Sequence, residues 1–330
     1  MTHLVPVTAP EYNKGQEVFE SLSGEDVTFI SAADEEDALA ETIRQCGARA
    51  VIIGVRKYEG PLYEVLPAGG LIARFGVGHD GVDKALAASR GILVTNTPGM
   101  LDVSVAEHAM GLVCALARGA PRLSAGLKAG DWAPERGVEL RGKLLALVGF
   151  GRIAKETARI AAMGFGMDIL ACDVTPPAAH AQFLEDLSAR SGVGAAYTTS
   201  LEEALGQASF VSLHVPLLES TRGLIGAREL ALMRPDAFLV NTSRGGIIDE
   251  DALFDALAER RLAGAALDVF ENEPYVPRSP GKDLRTLANA VLTPHVSSNT
   301  DMANRRMAER CVANVRALLE GRLEDLDRVG

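Results

Sequence analysis

Apolar and polar positions fall in short, regular blocks along this chain. The clearest block runs from Lys143 to Asp173. Leu144–Val148 is a continuous apolar run, and Gly149-Phe150-Gly151-Arg152-Ile153-Ala154 follows it directly. A pattern of helical period then fades near Gly164, and a second apolar run, Asp168–Cys172, finishes on Asp173. A short apolar run bounded by turn residues predicts a strand buried on both faces. The block therefore predicts one β-α-β unit with a glycine-rich turn between its first strand and its helix.

The same alternation recurs on both sides. Val27–Ile30, Ala50–Ile53, Ile72–Phe75 and Ile92–Thr95 predict strands, with helices over Asp34–Cys46 and Val82–Arg90. A long helix is predicted over Val103–Arg118, with Asp102 as N-cap and Gly119 as its stop. After the β-α-β unit, strands are expected at Phe210–His214, Ala237–Asn241, Gly264–Asp268 and Ala290–Thr293. Helices are expected at Leu201–Gly206, Ala227–Leu232 and Asp249–Glu259. Strands alternating with helices imply doubly wound parallel sheets. The last helix, Thr300–Leu319, lies beyond the final strand and needs a partner. Its simplest place is on the first domain, which makes residues 1–101 and 297–330 one domain and 102–296 a domain inserted into it.

Composition narrows the function classes. At 330 residues, two domains are expected. A formal net charge of −11 with no Lys/Arg block argues against nucleic-acid binding, and any anionic ligand must be held by local donors. Cys46, Cys114, Cys172 and Cys311 are scattered without a C-x-x-C, which fits reduced core thiols and neither a disulfide framework nor a metal site. There is no signal-peptide pattern and no apolar run long enough for a membrane span, so a cytoplasmic location is the default.

The glycine turn has a specific chemical reading. G-x-G-x-x-A between a strand and a helix, with an acid at the end of the next strand, meets the requirements of a bound dinucleotide. Gly149 permits the tight turn, Gly151 lets backbone approach a pyrophosphate, and Ala154 lets the helix pack close to the strand. The helix N-terminus offers unpaired N–H groups to phosphate. Asp173 can accept both ribose hydroxyls and would repel a 2′-phosphate, so NAD is favoured over NADP.

Three later segments leave predicted strands and end in polar residues: Val240-Asn-Thr-Ser-Arg244-Gly-Gly, Ala266-Leu-Asp268-Val-Phe-Glu-Asn-Glu273-Pro and Leu292-Thr-Pro-His295-Val-Ser-Ser. Ligands of open parallel sheets sit beyond the carboxyl ends of the strands. Arg244, Asp268, Glu273 and His295 are thus expected near the nicotinamide. The arginine can bind a carboxylate or polarise a carbonyl, the histidine can supply a proton as hydride arrives, and a carboxylate can orient it. Glu271 competes with Glu273 for that last role. His79, His108 and His214 have no comparable constellation, and His108, inside the long helix, reads as a packing residue.

These motifs, together with His214-Val-Pro216-Leu-Leu and Thr221, resemble the NAD-dependent D-isomer-specific 2-hydroxyacid dehydrogenases over nearly the whole chain. The resemblance implies an α/β fold of two doubly wound domains: a Rossmann NAD-binding domain inserted into a smaller, flavodoxin-like substrate domain. It implies Arg244, Glu273 and His295 as the catalytic trio, the glutamate before proline being preferred over Glu271. Cofactor contacts would come from Gly149, Gly151, Arg152, Ile153, Asp173, Val215, Pro216, Thr221, Thr242, Ser243, Arg244, Asp268, His295 and Ser298. Substrate would meet Val77 and Gly78, through the N–H groups of Gly76-Val77-Gly78, and also Arg244 and His295. No metal is implied. The expected reaction is hydride transfer between NAD and a D-2-hydroxy or 2-keto acid, with hydroxypyruvate or glyoxylate as first choice and 3-phosphoglycerate as second. Arg56 and Arg74 keep the phosphorylated substrate open, and His79 is also placed to touch substrate. A dinucleotide-sensing binding protein of the corepressor kind is the rival from another class. Family members are usually homodimers, joined here through residues 102–142. Ser297 and Ser298 stand where glycine or alanine is frequent.

Overall fold

The computed structural model describes residues 2–329. It contains two compact units, one formed by the residues up to Leu101 with those from Ser298 onward, the other by Asp102–Ser297.

The first unit carries β1 (His3–Thr8), β2 (Val27–Ala32), β3 (Ala50–Ile53), β4 (Leu71–Arg74) and β5 (Leu93–Thr95). All pair in parallel, in the order β2-β1-β3-β4-β5, which is the flavodoxin-like order. β1 was not expected from the pattern. It is a central strand that contains Pro6, a residue that cannot donate to a ladder and normally argues against such a position. The ladder adapts locally: β1 pairs with β2 over its full length but is registered with β3 only at Val7 and Ile52. The last helix, Asp301–Leu319, belongs to this unit and packs on β4 and on the helix Gln16–Leu22. The Thr300 hydroxyl caps it by accepting the Ala303 N–H at 3.2 Å.

The second unit carries β6 (Leu144–Val148), β7 (Asp168–Cys172), β8 (Ala195–Thr198), β9 (Phe210–Leu213), β10 (Phe238–Asn241), β11 (Gly264–Leu267) and β12 (Ala290–Leu292). The order is β12-β11-β10-β9-β6-β7-β8, again all parallel. Both faces are buried. Ala146 and Val148 enter one core with Leu170 and Cys172, while Leu145 and Leu147 enter the other with Ile169 and Ala171. Two-sided burial is why the strands read as unbroken apolar runs. β8 escaped the pattern because it is an edge strand with half-exposed side chains. The chain reverses direction across the sheet between β6 and β9, the switch point where open α/β sheets take ligands. The long helix spans Asp102–Arg118 and ends where Gly119 adopts a left-handed φ of 59°.

Candidate active site

The glycine turn is shaped for a phosphate. Gly149 has φ 86°, and a Cβ there would lie 2.7 Å from Val215 Cγ1 and 2.8 Å from the His214 carbonyl carbon. Only glycine lets β6 turn this close to the chain leaving β9. Gly151 is the opposite case: a Cβ would meet nothing within 4 Å, so there is open space over the helix start. Ala154 is fully buried beneath it. Arg152 opens the helix Arg152–Arg159, which continues through a π-helical turn, Ile160–Gly164; its Nε donates to Asp102 at 2.7 Å. Asp173 Oδ2 accepts the Phe150 N–H at 2.6 Å, and Oδ1 accepts the Thr175 N–H and hydroxyl at 2.8 and 2.7 Å. Burial disfavours its charge, yet these donors win and hold the carboxyl below the usual range. An ionised acid at the strand end, a glycine cradle and free space over a helix N-terminus together fit a dinucleotide.

Other expected cofactor residues have structural work of their own. The Thr221 hydroxyl donates to Pro216 O at 2.6 Å and accepts the Leu218 N–H at 2.8 Å, closing the loop that carries Val215 and Pro216. Thr242 is buried, and its hydroxyl has no protein partner. In the first unit, Ser298 O accepts the Thr300 N–H at 3.0 Å.

Three neighbouring strands carry the expected catalytic residues. Asn241 is in register with Leu267, and Leu267 with Leu292, so β10, β11 and β12 end side by side. Each then releases a loop. In the first, the fully buried Asn241 amide donates to Arg244 O at 2.9 Å, and its oxygen accepts the Ser243 N–H and hydroxyl. This folds Thr242–Arg244 into a fixed turn, a role for Asn241 that the sequence reading missed. In the second, Glu273 Oε1 accepts the Phe270 N–H at 3.0 Å. In the third, His295 takes φ 52°, a left-handed conformation uncommon outside glycine.

His295 Nδ1 lies 2.7 Å from Glu273 Oε2. A carboxylate only accepts, so the Nδ1 proton points at Glu273 and fixes the ring. The rival Glu271 is engaged elsewhere: its carboxylate lies 3.4 Å from Arg278, and its N–H donates to the buried Glu250. Asp268 has no exposed surface. It accepts the Thr293 hydroxyl at 2.6 Å and the N–H groups of Val296 and Ser297 at 2.9 and 2.8 Å. Burial opposes its ionisation, but the nearby His108 ring and hydrogen bonds from Thr293, Val296 and Ser297 hold it down to about 2. The carboxylate faces protein, so it acts through the loop that presents His295. His214 Nε2 lies 2.9 Å from the Ser212 hydroxyl, and burial pushes its pKa down to about 4, which keeps it neutral.

In the first unit, two carbonyls of the Gly76-Val77-Gly78 loop are occupied: Gly76 O accepts the Thr97 N–H, and Val77 O accepts the Asn96 amide at 2.8 Å. Arg74 is buried, and its Nη1 donates to Phe75 O. Arg56 lies 3.0 Å from Glu35 and 3.6 Å from Asp34.

Sheet order, glycine cradle and acid define a nicotinamide-dinucleotide oxidoreductase. Comparison with known proteins gives the family: residues 110–297 match the model of the D-isomer specific 2-hydroxyacid dehydrogenase NAD-binding domain. The chain belongs to that family. It is 38% identical to a glyoxylate reductase of Thermococcus litoralis over 88% of this chain and 86% of the relative. It is 39% identical to a D-3-phosphoglycerate dehydrogenase of Methanocaldococcus jannaschii over 77% of this chain but only 46% of that protein. An NADPH-dependent glyoxylate/hydroxypyruvate reductase of Sinorhizobium meliloti, solved with NADP and malonate, superposes with a TM-score of 0.78 at 30% identity, covering 97% of this chain and 94% of that one. The protein is an NAD(P)-dependent 2-hydroxyacid dehydrogenase with a nicotinamide cofactor.

Proposed function

We propose that this enzyme reduces small, unphosphorylated 2-keto acids such as glyoxylate or hydroxypyruvate, with NADH in preference to NADPH. The observation that carries the chemistry is the 2.7 Å pair between His295 and Glu273, in loops beside the one bearing Arg244. When bound, the nicotinamide supplies the hydride. His295 gives its Nε2 proton to the carbonyl oxygen as negative charge develops there. Glu273 orients the ring and stabilises the imidazolium before transfer. The Arg244 guanidinium binds the substrate carboxylate or polarises the carbonyl. The N–H groups of Val77 and Gly78 take the carboxylate, in a loop whose Gly76 and Val77 carbonyls accept the Thr97 N–H and the Asn96 amide. Gly149, Gly151, Arg152, Ile153, Thr242 and Asp173 hold the dinucleotide.

Two observations weigh against a phosphorylated substrate. A phosphate needs cations to spare, yet Arg56 already faces two carboxylates and Arg74 is 6% exposed. The NADP found in the Sinorhizobium meliloti protein is not expected here, because the Asp173 charge opposes a 2′-phosphate.

NADH oxidation with glyoxylate, hydroxypyruvate and 3-phosphohydroxypyruvate tests the reading. Turnover should be highest with one of the first two, and His295→Ala should lower kcat by roughly 10²–10⁴, the range for general acid–base catalysis. A preference for the phosphorylated acid overturns the substrate assignment. A parental kcat in His295→Ala overturns the proton donor. Dinucleotide binding with no turnover of any keto acid would favour the corepressor-like alternative.

We also infer a homodimer joined through residues 102–142. The helix Ala120–Lys128 there buries none of its side chains, and Leu127 and Trp132 are 57% and 86% exposed. Light scattering after gel filtration distinguishes monomer from dimer. Four free cysteines, and the lack of any described helix long and apolar enough to cross a membrane, fit a cytoplasmic enzyme.

A further inference from the structure

We propose that His108 is a positioning residue for the reduction: its ring N–H donates to the Thr293 hydroxyl, Thr293 donates to Asp268, and this chain holds the segment that presents His295. The proposal rests on the reading of His295 as proton donor.

The geometry gives each bond a direction. Thr293 Oγ1 lies 2.6 Å from Asp268 Oδ1, and an ionised carboxylate can only accept, so the hydroxyl proton points at Asp268. The Thr293 oxygen is then the acceptor for His108 Nε2, 3.2 Å away, and the proton on His108 sits on Nε2. Nε2 is also 3.6 Å from Asp268 Oδ1. A chain of N–H, O–H and carboxylate polarises in one sense, each bond strengthening the next.

Asp268 is the hub of the 293–297 segment. Its carbonyl accepts the His295 N–H at 2.8 Å, while its side chain takes Thr293, Val296 and Ser297. Every residue of this segment except Pro294 is thereby tied to one aspartate. The ties matter because His295 stands at φ 52°, which the segment would relax if released. The ring would then leave Glu273. His108 comes from the middle of a seventeen-residue helix that packs on β10 and β11, so the chain starts from a rigid element. Its side chain is a quarter exposed, and the role comes from its hydrogen bond more than from packing.

The test is a set of variants in the full-length enzyme: His108→Leu, His108→Gln, Thr293→Val, His295→Ala and the double variant His108→Leu/His295→Ala. kcat for glyoxylate reduction, NADH affinity by fluorescence and thermal stability are read for each. His108→Leu should lower kcat roughly 10- to 100-fold, the cost of a small misplacement of a reacting group, with NADH affinity within about twofold. His108→Gln, whose amide can still donate, should recover to within about threefold of the parent. In the His295→Ala background, His108→Leu should cause no further loss, because the group it positions is gone. Full kcat in His108→Leu, failure of His108→Gln to recover, or an additive loss in the double variant would each overturn the proposal. If His108→Leu does not fold, Thr293→Val breaks the same chain one link later and must show the same fall. Parental kcat in His295→Ala would refute the proton donor itself, a different outcome from parental kcat in His108→Leu alone.

Discussion

Replacing Gly245 by alanine is the smallest change that should dismantle the proposed catalytic trio. A Cβ at this position would overlap the carbonyl carbon and oxygen of Phe270 and the nitrogen of Glu271. All three are backbone atoms, so no side chain can swing aside. Ordinary contact begins at 3.4 Å, and restoring it requires the two segments to part by about 1.5 Å. Either loop that yields carries a residue of the proposed trio, since Arg244 precedes Gly245 and Glu273 lies three residues beyond Phe270. Moving Glu273 by that amount would open its 2.7 Å bond to His295 to roughly 4 Å, beyond any hydrogen bond. A misplacement on this scale costs on the order of 10²-fold in rate. The adjacent Gly246 supplies the control: a Cβ there would meet only the ends of Arg222 and Leu217, at 3.3 and 3.4 Å, and both can move. Gly245→Ala should lose about 10²-fold in kcat for 2-keto acid reduction, while Gly246→Ala stays within a few-fold of the parent. Equal activity in the two variants would show that the Phe270 segment does not rest on Gly245, and the account of how Glu273 is placed would fail.

Two further outcomes follow from buried and half-buried acids. Asp173→Ala should narrow the preference for NADH over NADPH, by removing ribose acceptors and a charge that opposes the 2′-phosphate; equal kcat/KM for both cofactors in the parent would sink the premise. Asp268 is held down to about 2 in the folded protein, against about 3.9 in an unfolded chain. A depressed folded pKa stabilises the fold above pH 4 and loses that contribution as pH falls toward 2, a difference of roughly 2–3 kcal/mol. Urea unfolding at pH 5 and pH 3 should show a shallower acid loss in Asp268→Asn than in the parent, and identical losses would contradict the assignment.

Much of this was legible in the order of residue types, and what was missed has physical causes. Strands buried on both faces announced themselves as apolar runs, which is why β6, β7, β9 and β10 were found to within a residue or two. β1 was hidden by Pro6, and β8 by its edge position. The residues proposed for the chemistry stood out because a cation, an acid and an imidazole followed strand ends. Residues that act through others did not. Asn241 looked like one polar residue among several in a turn, and His108 looked like a core histidine on an amphipathic helix. Their partners lie 3 and 185 positions away in sequence, and only the folded chain shows that each closes a hydrogen bond at the site.

The site's order originates in the backbone more than in the reactive side chains. β10, β11 and β12 are locked in register, so Thr242, Asp268 and Thr293 leave the sheet as neighbours. From there each loop is held by one polar group: Asn241 for the arginine, the Phe270 N–H for the glutamate, Asp268 for the histidine. Arg244, Glu273 and His295 all belong to one compact unit, and the His295–Glu273 bond is made within it. The orientation of the proposed proton donor is therefore settled when this unit folds. A group held in advance reorganises little during hydride transfer, which is the condition under which electrostatic stabilisation of a developing alkoxide is most effective. The unpartnered Thr242 hydroxyl and the open space over Gly151 are features of the same unit that no protein group completes. The chain has thus fixed the acid and its partner internally, and has left unpaired the surfaces that a dinucleotide would fill.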